Sequence, residues 1–247
     1  MSIPTPTLIA GIASIFVAGL TSGLTGFGFA LVTVPLLVIF MPPKLAVPVV
    51  LLLGNVTKLM ILTETHGWLD FKRFWPLIVA GVAATPIGTY VLSILDAQTM
   101  KTAIGVIIVL AALAMLAGFQ RPVRSEKLSL VPVGLASGLL QGSTAMGGPP
   151  TVLFFANQGA DKQICRANFT LFFLAMSLVA IPAQLAAGLL TKQVLVYALW
   201  FVPALLAGTL AGMRLARIVS EAGFRKVTLI VVILTGISAI ASGLGLL

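Results

Sequence analysis

Apolar side chains run along this chain in long blocks, and the polar positions gather in short gaps between them. Six blocks, at 45–63, 74–95, 98–119 and roughly 166–190, 193–213 and 224–246, reach the ~17–25 residues that an α-helix needs to cross hydrocarbon. Two other apolar stretches are broken. The first, 7–41, is interrupted at Ser22-Gly-Leu-Thr-Gly-Phe-Gly28, and the second, 128–157, at Gln141-Gly-Ser-Thr-Ala-Met-Gly-Gly-Pro-Pro150. Each half is roughly 14–16 residues, short for a crossing. Re-entrant hairpins and short tilted crossings both fit this pattern. The expectation is an all-α polytopic membrane protein with one transmembrane domain over 1–247.

Composition removes the soluble alternatives. The 247 residues are 59% hydrophobic and 9% charged, and mean hydropathy is +1.14. A soluble domain keeps about 25% charged residues to cover its surface. The net charge of +9 does not point to nucleic acid, because the basic residues cluster between apolar runs and form no continuous face. Cys165 and His66 each stand alone. They allow no internal disulfide and no zinc site, so no metal or cofactor is expected. The start, Met1 to Thr7, has no positive stretch, and the first apolar run is not expected to be a signal peptide.

The same charges orient the chain. With the 120–127 loop in the cytoplasm, 11 of the 15 Lys and Arg lie inside, and only Lys44, Lys101 and Lys192 fall outside. That asymmetry is the positive-inside pattern of a cytoplasmic-membrane protein. Both termini are expected outside.

Self-comparison divides the chain in two. Gly19-Leu-Thr-Ser-Gly-Leu24 matches Gly134-Leu-Ala-Ser-Gly-Leu139, Asn55-Val-Thr57 matches Asn168-Phe-Thr170, and Gly88–Lys101 aligns loosely with Gly212–Arg225. The halves are repeat 1 at about 7–119 and repeat 2 at about 128–247, joined by a cytoplasmic linker, 120–127. Each reads as a Gly-interrupted segment followed by three transmembrane helices. The number of crossings per half is odd, so the second repeat is expected upside down. Inverted repeats characterise secondary transporters, whose sites form where broken helices meet near the midplane.

The two breaks are therefore the candidate site. Unwound backbone inside a bilayer is tolerated only where protein or a cavity covers it, and glycine lets a ligand approach closely. A helix begins after each break, and helix N-termini offer N–H donors and partial positive charge to anions. Gly26, Gly28, Gly147 and Gly148 are the backbone candidates. The competing reading is that these glycines only permit close helix packing.

The stretches Gly19–Pro35 and Gly138–Leu153, each a Gly-rich turn leading through hydrophobics, resemble the paired signature of the TauE/SafE sulfite-exporter family. Phe27 interrupts the first turn and Pro149-Pro150 follow the second, where the family usually has consecutive glycines. The resemblance covers essentially the whole chain. It implies a membrane carrier of small organosulfur anions such as sulfite, sulfoacetate and other sulfonates, with small carboxylates as an alternative cargo.

Polar residues inside the spans complete the candidate set. Asn55 and Lys58 are three apart and share a helix face. Lys58 either attracts the anion or snorkels to the interface. Asn55 and Asn168 either donate amide N–H groups to substrate oxygens or bond across helices. Gln141, Ser143 and Thr144 either line the pocket or satisfy unwound backbone. Arg166 is expected to anchor the interface. For coupling, the acidic residues lie at helix ends or loops, with Glu64 the leading candidate, and an anion uniport driven by membrane potential is the alternative. An enzyme is disfavoured: no base faces a nucleophile and no pair of intramembrane Asp exists. An anion channel would need a ring of charges or carbonyls in an oligomer. A receptor or scaffold subunit would carry a sizeable soluble region. The partners expected are the anion and the lipid bilayer, with self-association into a homo-oligomer left open.

Overall fold

The structure is a computed structural model and describes residues 5–25, 28–116, 126–156, 162–215, 233–234 and 236–245. Among these residues the chain is all helical: α1 (Thr5–Thr25), α2 (Phe29–Phe40), α3 (Pro43–Thr65), a 3-10 turn (His66–Trp68), α4 (Phe71–Ile94), α5 (Ala97–Leu116), α6 (Glu126–Thr144), α7 (Gly148–Ala156), α8 (Lys162–Ala186) and α9 (Lys192–Leu215). Residues 236–243 are helical as well.

Five of the six expected spans appear as helices long and apolar enough to cross a membrane, within α3, α4, α5, α8 and α9. The sixth, 224–246, is described at 233–234 and 236–245, and the 120–127 linker only at its last two residues, the start of α6. The remaining part of 236–245 docks on α5. Lys101 Nζ donates to Ser242 Oγ at 3.0 Å, and Gly105 lies close under Gly236 and Ile240. In the exposed turn before α5, Asp96 accepts from the Thr99 hydroxyl at 2.6 Å and the Thr99 amide at 2.9 Å. Those bonds, the hydroxyl's first, hold its carboxyl below the usual carboxylate range.

The broken segments differ from expectation in length. α1 is 21 residues and α6 is 19, whereas α2 is 12 and the described α7 is 9. At 1.5 Å per residue α2 covers about 18 Å, short of a hydrocarbon core of about 30 Å. The second interruption is also shorter than the sequence suggests, at 145–147, and at the first only Gly28 is described between α1 and α2. Helix α6 runs on through Gln141-Gly-Ser-Thr144 because the polar groups there find acceptors inside the helix. Ser143 Oγ donates to the Leu139 carbonyl and Thr144 Oγ1 to the Leu140 carbonyl, each at 2.7 Å.

Glycines explain how α1 and α6 are held. α6 lies along α4 and α1 along α9, the two most extensive helix contacts among the described residues. A Cβ at Gly134 would sit 2.6 Å from the Leu77 carbonyl oxygen, and one at Gly138 or Gly142 would collide with the carbonyl of Gly81 or Thr85. Across the other pair, a Cβ at Gly19 would sit 2.9 Å from the Leu205 oxygen, and Gly23 and Gly212 face the carbonyls of Thr209 and Leu20. Removing side chains from these stripes brings backbone against backbone, which supplies dispersion contacts where lipid offers no hydrophobic drive. These stripe glycines are distinct from Gly26, Gly28, Gly147 and Gly148 of the two breaks. α3 packs against α8 and α9, and α8 against α3 and α4.

Candidate functional site

Between these helices lies one cavity that draws on both breaks. Its lining includes Ser22 and Gly28 to Leu31 at the first break, Gln141 and Ala145 to Gly148 at the second, and Val50, Leu51, Gly54, Thr57, Lys58 and Ile61 of α3, with Thr170 and Phe173 of α8. The volume is about 70 Å³. One water needs roughly 10–15 Å³ by the same measure, so the space suits an ion of a few heavy atoms. Most of the wall is apolar.

The α3 wall follows from helical spacing. Gly54, Thr57, Lys58 and Ile61 are at i, i+3, i+4 and i+7, one face of the helix. Gly54 keeps this wall low: a Cβ there would sit 3.8 Å from Lys58 Nζ. Lys58 Nζ donates to Ser177 Oγ of α8 at 2.8 Å and to Asn55 Oδ1 at 3.2 Å. Both partners are neutral. The Ser177 hydroxyl donates its own proton to the Phe173 carbonyl at 2.7 Å, which leaves its lone pairs for the amine. Lys58 thus turns inward toward α8. Thr57 Oγ1, on a side chain 1% exposed, has no hydrogen-bond partner among the described residues. An orphaned hydroxyl inside a protein costs about 1–3 kcal/mol, and here it belongs to a cavity wall.

The first break supplies backbone donors. Gly28 caps α2 with φ 93°, a left-handed conformation that glycine adopts freely. The amides of Phe29, Ala30 and Leu31 then fall in the first helical turn, where no intrahelical acceptor exists. The second break is built differently. The Ala145 amide donates to the Gln141 carbonyl at 3.0 Å, Met146 to Thr144 Oγ1 at 3.3 Å, and Gly147 to Gln141 Oε1 at 3.1 Å. Pro149 and Pro150 then occupy the first turn of α7 with no N–H to offer. The second half contributes the Gln141 amide, whose orientation is set by the Gly147 bond, and a close backbone wall. That wall is strained at Ala145, which has φ 59°, a conformation costing a non-glycine residue roughly 1–2 kcal/mol. Ala145→Gly is expected to raise the thermal midpoint in detergent by a few degrees. An unchanged or lowered midpoint would show that the strain is absorbed elsewhere.

Not every expected residue converges. Lys58, Gly28, Gln141, Gly147 and Gly148 line the cavity. Asn55 stands beside it, holding Lys58. The hydroxyls of Ser143 and Thr144 are spent on helix carbonyls. Asn168 is buried and ties α8 to the 3-10 turn: its Nδ2 donates to the Ile164 carbonyl at 2.7 Å and the Trp68 carbonyl at 3.3 Å, and its Oδ1 accepts from the Asp70 amide at 2.9 Å. Removing those three bonds with Asn168→Ala is expected to destabilise the fold by about 2–4 kcal/mol while leaving anion affinity within twofold, as read by thermal unfolding and equilibrium binding. Gly26 and the side chains of Glu64 and Arg166 lie outside the described residues. Ser22, Thr57 and Thr170 line the site without having been expected there.

A profile of the sulfite exporter TauE/SafE family matches residues 11–239. The chain belongs to that family. It is a multi-pass membrane transporter, and the family's cargo is a small anion, the charge that a Lys58-lined cavity suits. Comparison with curated proteins and with solved structures found no match. Among the described residues no group of three or more His, Cys, Asp or Glu side chains is placed to hold a metal ion.

Proposed function

We propose that this member of the family is a secondary carrier that moves small sulfur-containing anions, such as sulfite or small sulfonates, across the cytoplasmic membrane. Binding occurs in the cavity where the two breaks meet. The observation that carries this reading is the position of Lys58, an inward-turned amine with neutral partners in a small cavity walled by both halves.

Alternating access rests on two inverted repeats, and the packing supports that arrangement. A Cβ at Gly142 would meet the Thr85 oxygen and the Thr89 amide, and one at Gly23 would meet the Thr209 oxygen and the Met213 amide. Gly88 faces the Leu139 carbonyl as Gly212 faces that of Leu20. Exchange of the halves maps each contact onto the other. In that register Gly19 answers Gly138 and Gly23 answers Gly142, one helical turn from the sequence match, and Gly28 answers Gly147. The likeness of Thr57 and Thr170, both on the cavity wall, points the same way. Inversion with both termini outside agrees with the basic loops. Glu64, at the end of α3 and less than two turns beyond Lys58, is the proposed coupling group.

The test is flux. Purified protein in liposomes loaded in turn with sulfite, sulfoacetate, taurine, lactate and sulfate is expected to release a sulfur-containing anion faster than lactate. Correctly folded protein that moves none of them would end the proposal, and unitary currents in a planar bilayer would replace the carrier with a channel.

A further inference from the structure

The charge inventory of the cavity is small enough to count. Among the described residues Lys58 is its one charged lining group. Its partners, Asn55 and Ser177, carry no charge. The other polar contributors are the orphaned Thr57 hydroxyl, the Gln141 amide, Ser22, Thr170 and the first-turn amides of α2. Phe29, Val50, Leu51, Ile61 and Phe173 close the space with apolar surface.

We propose that this cavity takes monoanions and rejects dianions of equal size, so that the transported species carries a single negative charge. The inference rests on the carrier reading above and narrows its substrate class. One unit of negative charge beside Lys58 leaves the occupied site neutral. A second unit would lie against apolar walls in a medium of low dielectric, where an uncompensated charge costs several kcal/mol. Amides at a second helix N-terminus are the usual means of offsetting it, and Pro149 and Pro150 remove two of those donors from α7. The Ala145, Met146 and Gly147 amides are already bonded within the protein. Cavity size sets the other limit, with room for a few heavy atoms. Small sulfonates and singly protonated sulfite satisfy both conditions. Sulfate fails on charge, and sulfoacetate, with its sulfonate and carboxylate, fails on charge and is the longer ion.

Methanesulfonate and sulfate make the test, because both are tetrahedral at sulfur, similar in size, and differ by one charge. Binding of each, and of sulfite as reference, is measured by titration calorimetry on the full-length protein in nanodiscs at fixed ionic strength. The expected result is saturable methanesulfonate binding at least tenfold tighter than sulfate. In Lys58→Gln both anions bind weakly and the preference collapses, while Lys58→Arg, which keeps the charge, keeps the preference. Sulfate binding within twofold of methanesulfonate, or a preference that survives Lys58→Gln, would overturn the charge rule and leave the carrier reading standing. Methanesulfonate silent while sulfite binds would also overturn it. If sulfite itself does not bind folded protein, the site reading fails and this inference with it.

Discussion

Lys58→Met lowers sulfite affinity by roughly 100-fold or more, the equivalent of about 3 kcal/mol for a buried charge left without its partner. The same substitution leaves the unliganded protein as stable as before or more so. In the empty cavity the buried Lys58 amine lies near apolar walls with only Asn55 and Ser177 as partners, and replacing a poorly compensated ionisable group by an apolar chain of similar size is neutral or favourable. The two readouts therefore move in opposite directions. Equilibrium binding of radiolabelled sulfite and thermal unfolding in detergent separate them. A lysine that only snorkels to the interface would change neither by much. Lost affinity accompanied by a lower unfolding midpoint would mean that Lys58 supports the fold and not the ligand.

The second large effect concerns packing. Gly142→Leu is expected to abolish the folded state in detergent, and Gly142→Ala to lower stability by about 1–3 kcal/mol. The reason is the identity of the atoms that the new Cβ meets. They are backbone atoms of Thr85 and Thr89 in α4, which cannot rotate away as a side-chain tip can. Relief requires α4 and α6 to separate along their whole contact. Gly67 provides the comparison, since a Cβ there meets nothing within 4 Å, and Gly67→Ala should be nearly neutral. Monodispersity in size exclusion together with unfolding midpoints checks both. Equal effects at Gly142 and Gly67 would contradict the packing account.

The spans were legible because hydrocarbon thickness sets their length directly, and five of the six appear where the apolar runs lie. The breaks were legible in position but not in extent. Ser143 and Thr144 look like turn residues, yet each hydroxyl finds a carbonyl one turn back, and only the structure shows that α6 continues through them. The glycines carry two meanings that sequence does not separate: Gly138 and Gly142 close a helix contact, whereas Gly28 and Gly147 border the cavity.

Among the polar residues, helix facing decides the outcome. The Asn-x-Thr pairs drew attention to Asn55 and Asn168, but the cavity receives Thr57 and Thr170. The i, i+3, i+4, i+7 face running through Gly54, Thr57, Lys58 and Ile61 was available in the sequence and would have selected Thr57 over Asn55. No comparable signal existed for Asn168, whose partners are backbone groups of a turn about 100 positions away. The donor asymmetry between the breaks was also readable, since Pro149 and Pro150 lack an N–H wherever they sit.

The central claim is that a small anion binds between the two breaks beside Lys58. Selenite, a heavier isostere of sulfite, tests it most directly when diffused into crystals of the protein and located by its anomalous scattering. One dominant selenium peak is expected in the cavity, within hydrogen-bonding reach of Lys58 Nζ and Thr57 Oγ1 and next to the first turn of α2. A dominant peak elsewhere in the bundle, or none in a crystal of folded protein at saturating selenite, would contradict it.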